Sequence, residues 1–484
     1  MHSRAAQVLW RSLTWTHRWL GILTCLLCAM WFLSGLVMLY VPFPSWRDEE
    51  RTATLRVIDV EKLNVAPGEA LAKAALTRPP TVFRLEMFGA EPVYRIVDFG
   101  RPTSVSAYDG RIISQVDRSE AAARLHETFA QTPLHYLGEV AVDQWTVSSL
   151  ITPHRPLHLF ALDDGRGTQL YVSSRTGEIV QATTARERFW NFLGAVPHWL
   201  YFAPLRTNPQ AWTRTVQWTS GATAIGAIIG IWIGIWRMRL RGSYAAGRVS
   251  PYRGWLRWHH LSGLAGGACV VAWLGSGWLS VSSLSLFASL TIGPDDLGRY
   301  YAAGVPKYEV SAGKLRELAS TPSREIAFSW VRDVPFATVT NGLVHTTFDA
   351  MGIRQAAFHE DTLVQAAGHV MKEAKVARVE RLDAPDVYWY SHHAQRPLPA
   401  LRVVFDDPAE TWLMIDLTTG RIVGAQSRAD RAYRWLFNLA HQYDLPWLLD
   451  RPALRTALIW LLSLLGIVIS LSGAWLGWRV LRRR

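Results

Sequence analysis

The sequence predicts an α-helical membrane protein with α+β domains outside the bilayer: four transmembrane helices arranged as two tandem repeats. Three observations predict it. Hydrophobic residues make up 49% of the 484-residue chain, and they gather in four blocks of about twenty. Arginines crowd the ends of those blocks. The second half also repeats the first at an offset of 242 to 243 residues.

Those boundaries divide the chain into seven parts. They are an N-tail and first helix (1–41), a polar domain (42–212), a second helix (213–237) and a short loop (238–258), then a third helix (259–290), a second polar domain (291–453) and a fourth helix with a basic tail (454–484).

The first span is the apolar run Trp19–Val41, preceded by Arg4 and Arg11. It is too long for a signal-peptide core, and no A-x-A site follows, so it is read as a retained helix. In the first polar domain a helix runs from about Val65 to Leu76. Strands are expected at Thr81–Met87, Val93–Phe99, Ser104–Tyr108 and Ile112–Ile113, and a helix at Ser119–Phe129. Leu157–Leu162 and Gln169–Ser173 read as further strands, closed by Thr176-Gly177-Glu178-Ile179-Val180. Phe189–Phe202 is aromatic, is broken by Pro197-His198, and is expected at the membrane interface. The second span is Val216–Trp236, where Gly226, Gly230 and Gly234 give one smooth face for close packing. The loop after it carries Arg237, Arg239, Arg241, Arg248, Arg253 and Arg257. The third span is Leu261–Leu284 and the fourth Ala457–Trp478, with Arg479, Arg482, Arg483 and Arg484 at the end.

The basic N-terminus, middle loop and C-terminus belong in the cytoplasm, so both polar domains face outward, into the periplasm of a bacterium. The net charge of +12 is accounted for by this topology and does not point to nucleic acid. Cys25, Cys28 and Cys269 all lie inside apolar runs, so no disulfide is expected in the soluble domains, and no C-x-x-C-H is present for covalent haem attachment. The spans hold no acidic residue and no broken helix, which argues against a transporter.

The repeat singles out histidines. His17 in Trp15-Thr16-His17-Arg18-Trp19 falls on His259 in Trp258-His259-His260 (259 − 17 = 242), and Ser34-Gly35 falls on Ser276-Gly277. Further on, Asp143 falls on Asp386, Pro156 on Pro399, Thr176-Gly177 on Thr419-Gly420, and His198 on His441 (441 − 198 = 243). Gly230, Trp232 and Gly234 fall on Gly473, Trp475 and Gly477. Two copies entering the membrane the same way up are related by a pseudo-two-fold along its normal, which brings equivalent residues to equal depth. Iron in a porphyrin takes two trans imidazoles, so His17 with His259 and His198 with His441 are candidate axial ligands for two b-type haems, one near each membrane face. His260 is an alternative to His259, and a single haem would keep only the first pair. His126 and His369 are expected on helix surfaces. His154, His158, His392 and His393 lie just before strands; they could touch a substrate, although exposed loop histidines are commoner.

Trp15–Gly21 with His-Arg-Trp-Leu-Gly, the four spans, Asp416–Val423 (Asp-Leu-Thr-Thr-Gly-Arg-Ile-Val) and Phe437–His441 resemble the PepSY-associated transmembrane proteins, bacterial inner-membrane proteins often described as iron-regulated. The first copy carries Ser173 where that turn has Asp416. The resemblance implies two periplasmic PepSY-like domains and reduction of a ferric siderophore by buried b-type haems. Siderophores hold Fe(III) far more tightly than Fe(II), so reduction releases iron for acquisition. No G-x-G-x-x-G follows a strand, so a separate donor, a quinol or a cytoplasmic flavoprotein, must supply electrons. The competing expectation is a non-redox, membrane-anchored PepSY module that binds ligands or regulates a peptidase.

Overall fold

The structure, a computed structural model, describes residues 4–98, 100–240, 244, 247–281, 292–304, 306–319, 322–341, 344–391 and 395–483. It forms two compact units. One comprises Met1–Phe43, Glu187–Ala288 and Ala432–Arg484, the other Pro44–Arg186 and Ser289–Arg431.

Four helices dominate the first unit: Arg4–Met38, Pro209–Arg237, Gly254–Val281 and Pro452–Leu481. Each is long and apolar enough to cross a membrane. The first starts well before the apolar run, because the Arg- and Ala-containing tail is also good helix sequence. The predicted end of the third, at Leu284 to 290, lies outside the described residues. Asn208 caps the second helix by accepting from the Ala211 N–H at 3.0 Å, and Pro209 and Pro452 open the second and fourth where no N–H is needed. The first helix packs on the second and the fourth, and the third packs on the same two. The first and third therefore stand at opposite corners. Small residues allow the close approach: Gly226 meets Leu20, Gly234 meets Leu264, Gly266 meets Leu465 and Gly477 meets Ile22. Leucines such as Leu23, Leu26 and Leu461 point outward and are exposed, as lipid-facing side chains would be.

The second unit is α+β with three antiparallel sheets. Its strands are β1 (Val82–Phe88), β2 (Glu91–Asp98), β3 (Arg101–Ser106), β4 (Ile112–Ile113), β5 (Leu134–Val140), β6 (Leu157–Leu162), β7 (Gln169–Ser173) and β8 (Ile179–Thr183). After these come β9 (Glu325–Val331), β10 (Val334–Asn341), β11 (Val344–Asp349), β12 (Arg354–Gln355), β13 (Val376–Leu382), β14 (Ala400–Phe405), β15 (Trp412–Asp416) and β16 (Ile422–Gln426). Element order in the second polar region follows the first: β9 begins 325 − 82 = 243 residues after β1, and β14 begins 400 − 157 = 243 after β6. Pro156 and Pro399 both follow cis peptide bonds.

The two polar regions share one eight-stranded sheet, ordered β12-β11-β10-β9-β1-β2-β3-β4. Where β1 meets β9, Arg84 stands opposite Ala327, the residue 243 positions further on. One face of this sheet buries Phe83, Tyr94, Tyr308, Phe328 and Trp330 in a common aromatic core. The same strands also bury charge: Arg51 bridges Glu86 (2.8 Å) and Glu325 (2.5 Å), Arg95 holds Glu86 at 2.9 Å, and Arg84 binds Glu86 and Glu178. The sheets β5-β6-β7-β8 and β13-β14-β15-β16 complete the unit. Segments 187–212 and 432–453, assigned to the polar domains from sequence, belong with the long helices.

Candidate functional site

His17 sits on the first long helix and His259 on the third. His198 ends the short helix Ala195–His198, which packs on the first long helix; His441 lies on the short helix Leu439–Gln442, which packs on the third. A π-helical turn, Arg434–Asn438, leads into the latter. Two residues past each of these histidines the chain turns through a left-handed residue, Leu200 (φ 52°) and Tyr443 (φ 55°). Side chains seldom adopt that backbone, so both turns are held by their surroundings.

The rings meet in two pairs. His17 and His259 have centroids 6.1 Å apart, as do His198 and His441. Each ring lies on a neighbouring helix in the same way. Nδ1 of His17 is 2.9 Å from the Gly226 carbonyl, and a methyl group added at Gly230 would stand 2.5 Å from its Cε1. Nδ1 of His259 is 3.1 Å from the Ile469 carbonyl, and a methyl group added at Gly473 would stand 3.2 Å from its Cε1. Nδ1 of His198 is 3.1 Å from the Trp31 carbonyl, and a methyl group added at Gly35 would stand 3.2 Å from its Cε1. Nδ1 of His441 is 2.9 Å from Ser276 Oγ, a methyl group added at Gly277 would stand 3.8 Å from its Cε1, and the Trp273 indole N–H donates to the His441 carbonyl at 2.9 Å. The glycine always follows four residues after the anchoring residue (226 and 230, 469 and 473, 31 and 35, 273 and 277). That spacing puts carbonyl and glycine on one helix face.

A carbonyl has no proton to give, so Nδ1 of His17, His198 and His259 must carry the hydrogen. Nε2 then keeps its lone pair. Among the described residues no hydrogen bond reaches Nε2 of any of the four. This is the tautomer a metal-binding imidazole needs, with its other nitrogen held by a backbone acceptor. His260 differs: its Nδ1 takes Ser250 Oγ at 2.8 Å and its Nε2 the Gly234 carbonyl at 2.9 Å, so both nitrogens are engaged.

A cavity of about 200 Å³ opens beside the first pair, walled by Gly21, Cys25, Gly226, Gly230, Gly263 and Val270. Among the described residues no group of three or more His, Cys, Asp or Glu side chains converges. Each pair therefore offers a metal two nitrogens and no third protein ligand.

The remaining histidines lie apart. His126 and His369 are exposed on or just beyond helices of the second unit. His158 is a buried strand residue satisfied by the Val116 carbonyl at 2.9 Å and the Tyr136 hydroxyl at 3.5 Å. Burial holds the His154 imidazole below its ordinary pKa. His392 and His393 lie outside the described residues. Sequence reasoning did not find the anchoring carbonyls, nor the serines beside the rings, although the repeated Ser34-Gly35 and Ser276-Gly277, and the Ser472-Gly473 of the fourth helix, mark their positions.

A scan against protein-family models returns no matching family, and a search of curated proteins returns no matching sequence.

Proposed function

We propose that this chain is a bacterial inner-membrane electron conduit. Its substrate is a ferric siderophore at the periplasmic face, and two b-type haems are held by His17 with His259 and by His198 with His441. The observation that carries the reading is the cradle common to the four histidines. It presents two pairs of imidazoles, each ring with Nδ1 tied back and, among the described residues, Nε2 left free. A metal–imidazole bond is about 2.0–2.1 Å and the ring centre lies about 1.1 Å beyond the nitrogen, so two imidazoles that held one metal between them would have centroids up to about 6.3 Å apart. Both pairs stand at 6.1 Å. Among the described residues no third ligand converges on either pair, which would suit an iron whose other bonds come from a macrocycle better than tetrahedral zinc.

A b-type haem held in this way exchanges one electron at a time between ferric and ferrous iron. The protein's part is to hold the ligand nitrogens unprotonated, to keep the centres dry among Cys28, Phe32, Val270 and Leu274, and to space them. Along the first helix His17 and the Trp31 carbonyl that anchors His198 are 31 − 17 = 14 residues apart, a rise of about 21 Å. Two centres at that spacing divide a bilayer core of about 30 Å into short steps.

The tandem-repeat architecture belongs to the same proposal. Its support is that His17 meets its copy His259, that His198 meets its copy His441, and that Arg84 pairs with Ala327 across β1 and β9. A two-fold axis relating the halves would make each such residue face its own counterpart. Cytoplasmic termini, a periplasmic location for the polar unit and its PepSY-like character complete the reading. A separate quinol or cytoplasmic flavoprotein feeds it.

The test is haem content and ferric reduction by the purified full chain in vesicles. Two haems per chain are expected by pyridine haemochrome. His441→Ala should lose one haem and the outward release of Fe(II), while the other stays reducible from the cytoplasmic side. His17→Ala should keep the outer haem but cut it off from the donor. A haem-free preparation made with ample haem supply would sink the proposal.

A further inference from the structure

Three of the four cradles contain a serine that the fourth lacks. Ser34 Oγ lies 3.1 Å from Nδ1 of His198, Ser276 Oγ 2.9 Å from Nδ1 of His441, and Ser472 Oγ 3.1 Å from Nδ1 of His259. Each serine precedes the cradle glycine. The matching residue beside His17 is Ile229 (472 − 243 = 229), so among the described residues His17 Nδ1 has the Gly226 carbonyl and no hydroxyl.

The direction of these hydrogen bonds follows from proton counting. A hydroxyl has one hydrogen. Ser276 Oγ lies 2.6 Å from the Ala272 carbonyl and 3.0 Å from the Trp273 carbonyl of its own helix. Ser472 Oγ lies 2.6 Å from the Val468 carbonyl and 3.0 Å from the Ile469 carbonyl, and Ser34 Oγ lies 3.1 Å from the Trp31 carbonyl. Carbonyls can only accept, so each hydroxyl hydrogen is spent within its helix, and the oxygen meets the imidazole as an acceptor. Nδ1 must then be the donor. For His441 this makes Ser276 the closest group fixing which nitrogen carries the proton.

We propose that Ser34, Ser276 and Ser472 are positioning residues for the iron ligands. Ser276 Oγ accepts from Nδ1–H of His441, while Ser34 and Ser472 Oγ share the single Nδ1–H of His198 and of His259 with the Trp31 and Ile469 carbonyls; all three lock the tautomer that frees Nε2 and lower the reduction potential of the iron held there. The proposal rests on the dihaem reading. An acceptor on Nδ1–H makes an imidazole more basic at Nε2, and a more basic ligand favours ferric over ferrous iron. The outer pair has two such hydroxyls and the inner pair one, so the serines bias the outer centre toward the lower potential.

The experiment uses the purified full-length haem protein. It reads haem per chain, the midpoint potential of each centre by redox titration, and the low-temperature electron paramagnetic resonance signal of each ferric centre. The centres are assigned by their loss in His17→Ala and His441→Ala. Ser276→Ala should keep two haems, raise the outer potential and shift the outer resonance signal. Ser276→Thr, which retains a hydroxyl able to bond its own helix, should restore both. Ile229→Ser, which supplies the missing hydroxyl beside His17, should lower the inner potential. If Ser276→Ala loses haem, Ile229→Ser decides the matter alone. Unmoved or oppositely moved potentials in variants that hold two haems overturn the proposal and leave the dihaem reading standing. A wild-type protein without haem removes that reading itself.

Discussion

Glu86 is a carboxylate taken almost wholly out of water, at 3% exposure, on the strand where the two halves join. Burial alone would raise its pKa; the guanidiniums of Arg84, Arg95 and Arg51 outweigh it and hold the carboxyl down at about 2, against an ordinary 4.5. A group depressed in the folded state gives its full stabilisation above the ordinary value. That stabilisation drains away as pH falls from about 4.5 toward 2. Glu86→Gln leaves three buried cations short of a charge and should cost about 3–5 kcal/mol. Thermal unfolding of the full chain in detergent, followed through the strand signal at several pH values, checks this: the variant should be less stable at pH 7 and show a flatter acid limb. Single residues also mark where the sequence was legible. The four histidines could be picked out because they recur at offsets of 242 and 243 residues, but the choice between His259 and His260 could not be made. What separates them is the hydrogen bonding of their ring nitrogens. Both nitrogens of His260 are engaged, by Ser250 Oγ and the Gly234 carbonyl, but among the described residues only Nδ1 of His259 is. Partners so distant in sequence, or carried by every backbone, leave no local mark. Ser173 stands where the second polar region has Asp416, and its Oγ accepts from the Arg175 and Thr176 N–H groups at 3.2 and 3.1 Å, closing a turn as Asp416 does by accepting from the Thr418 N–H.

At the scale of elements, each histidine ring rests on a helix at a place where no Cβ intervenes. Gly230 is the tightest, since a methyl group there would stand 2.5 Å from Cε1 of His17 and 2.9 Å from its Nδ1. Gly230→Ala favours the helix by roughly 1 kcal/mol in propensity but must push His17 off the Gly226 carbonyl. The expected outcome is loss of the inner haem with the outer retained. Gly275→Ala, with nothing within 4 Å of the new methyl, should keep both. Absorbance spectra of the two variants compare them directly, and equal haem content would show that the cradle yields. Three of these four glycines lie beside a serine (34–35, 276–277 and 472–473), so the cradle had a trace in the sequence before its purpose was visible. The long helices were plain from hydropathy, and the strands from Thr81 to Val180 were placed within a few residues. β5 was missed: it is only partly buried, carries Gly138 at φ 140°, and shifts register between Tyr136 and Gly138. The junction of β1 with β9 was not legible either, because strand pairing across some 240 residues leaves no local pattern.

At the scale of the whole molecule, two histidine pairs at different levels of one helix bundle, each holding a haem as proposed, would make a path that moves charge. Under the proposed topology an electron passes from the level of His17 and His259 to the level of His198 and His441, outward across the membrane. A rise of about 21 Å is about two-thirds of a bilayer core of about 30 Å. Moving one elementary charge through the whole membrane potential is worth about 2.3 kcal/mol per 100 mV, so this step is worth about 1.6 kcal/mol per 100 mV. The sign follows from the charge: an interior-negative potential drives an electron outward. It would therefore assist transfer toward an outer centre whose potential the serines are proposed to lower. If half of that energy acts at the transition state, the rate changes by about fourfold per 100 mV. The measurement uses right-side-out vesicles with a reductant trapped inside and a ferric hydroxamate outside, the potential being set by a potassium gradient and valinomycin. Outward release of Fe(II) should quicken when the interior is made negative and slow when it is made positive. His17→Ala should release little at any voltage. A wild-type rate indifferent to voltage would mean that the electron does not cross the bilayer through this chain, and the two histidine pairs would then have to be explained without a current between them.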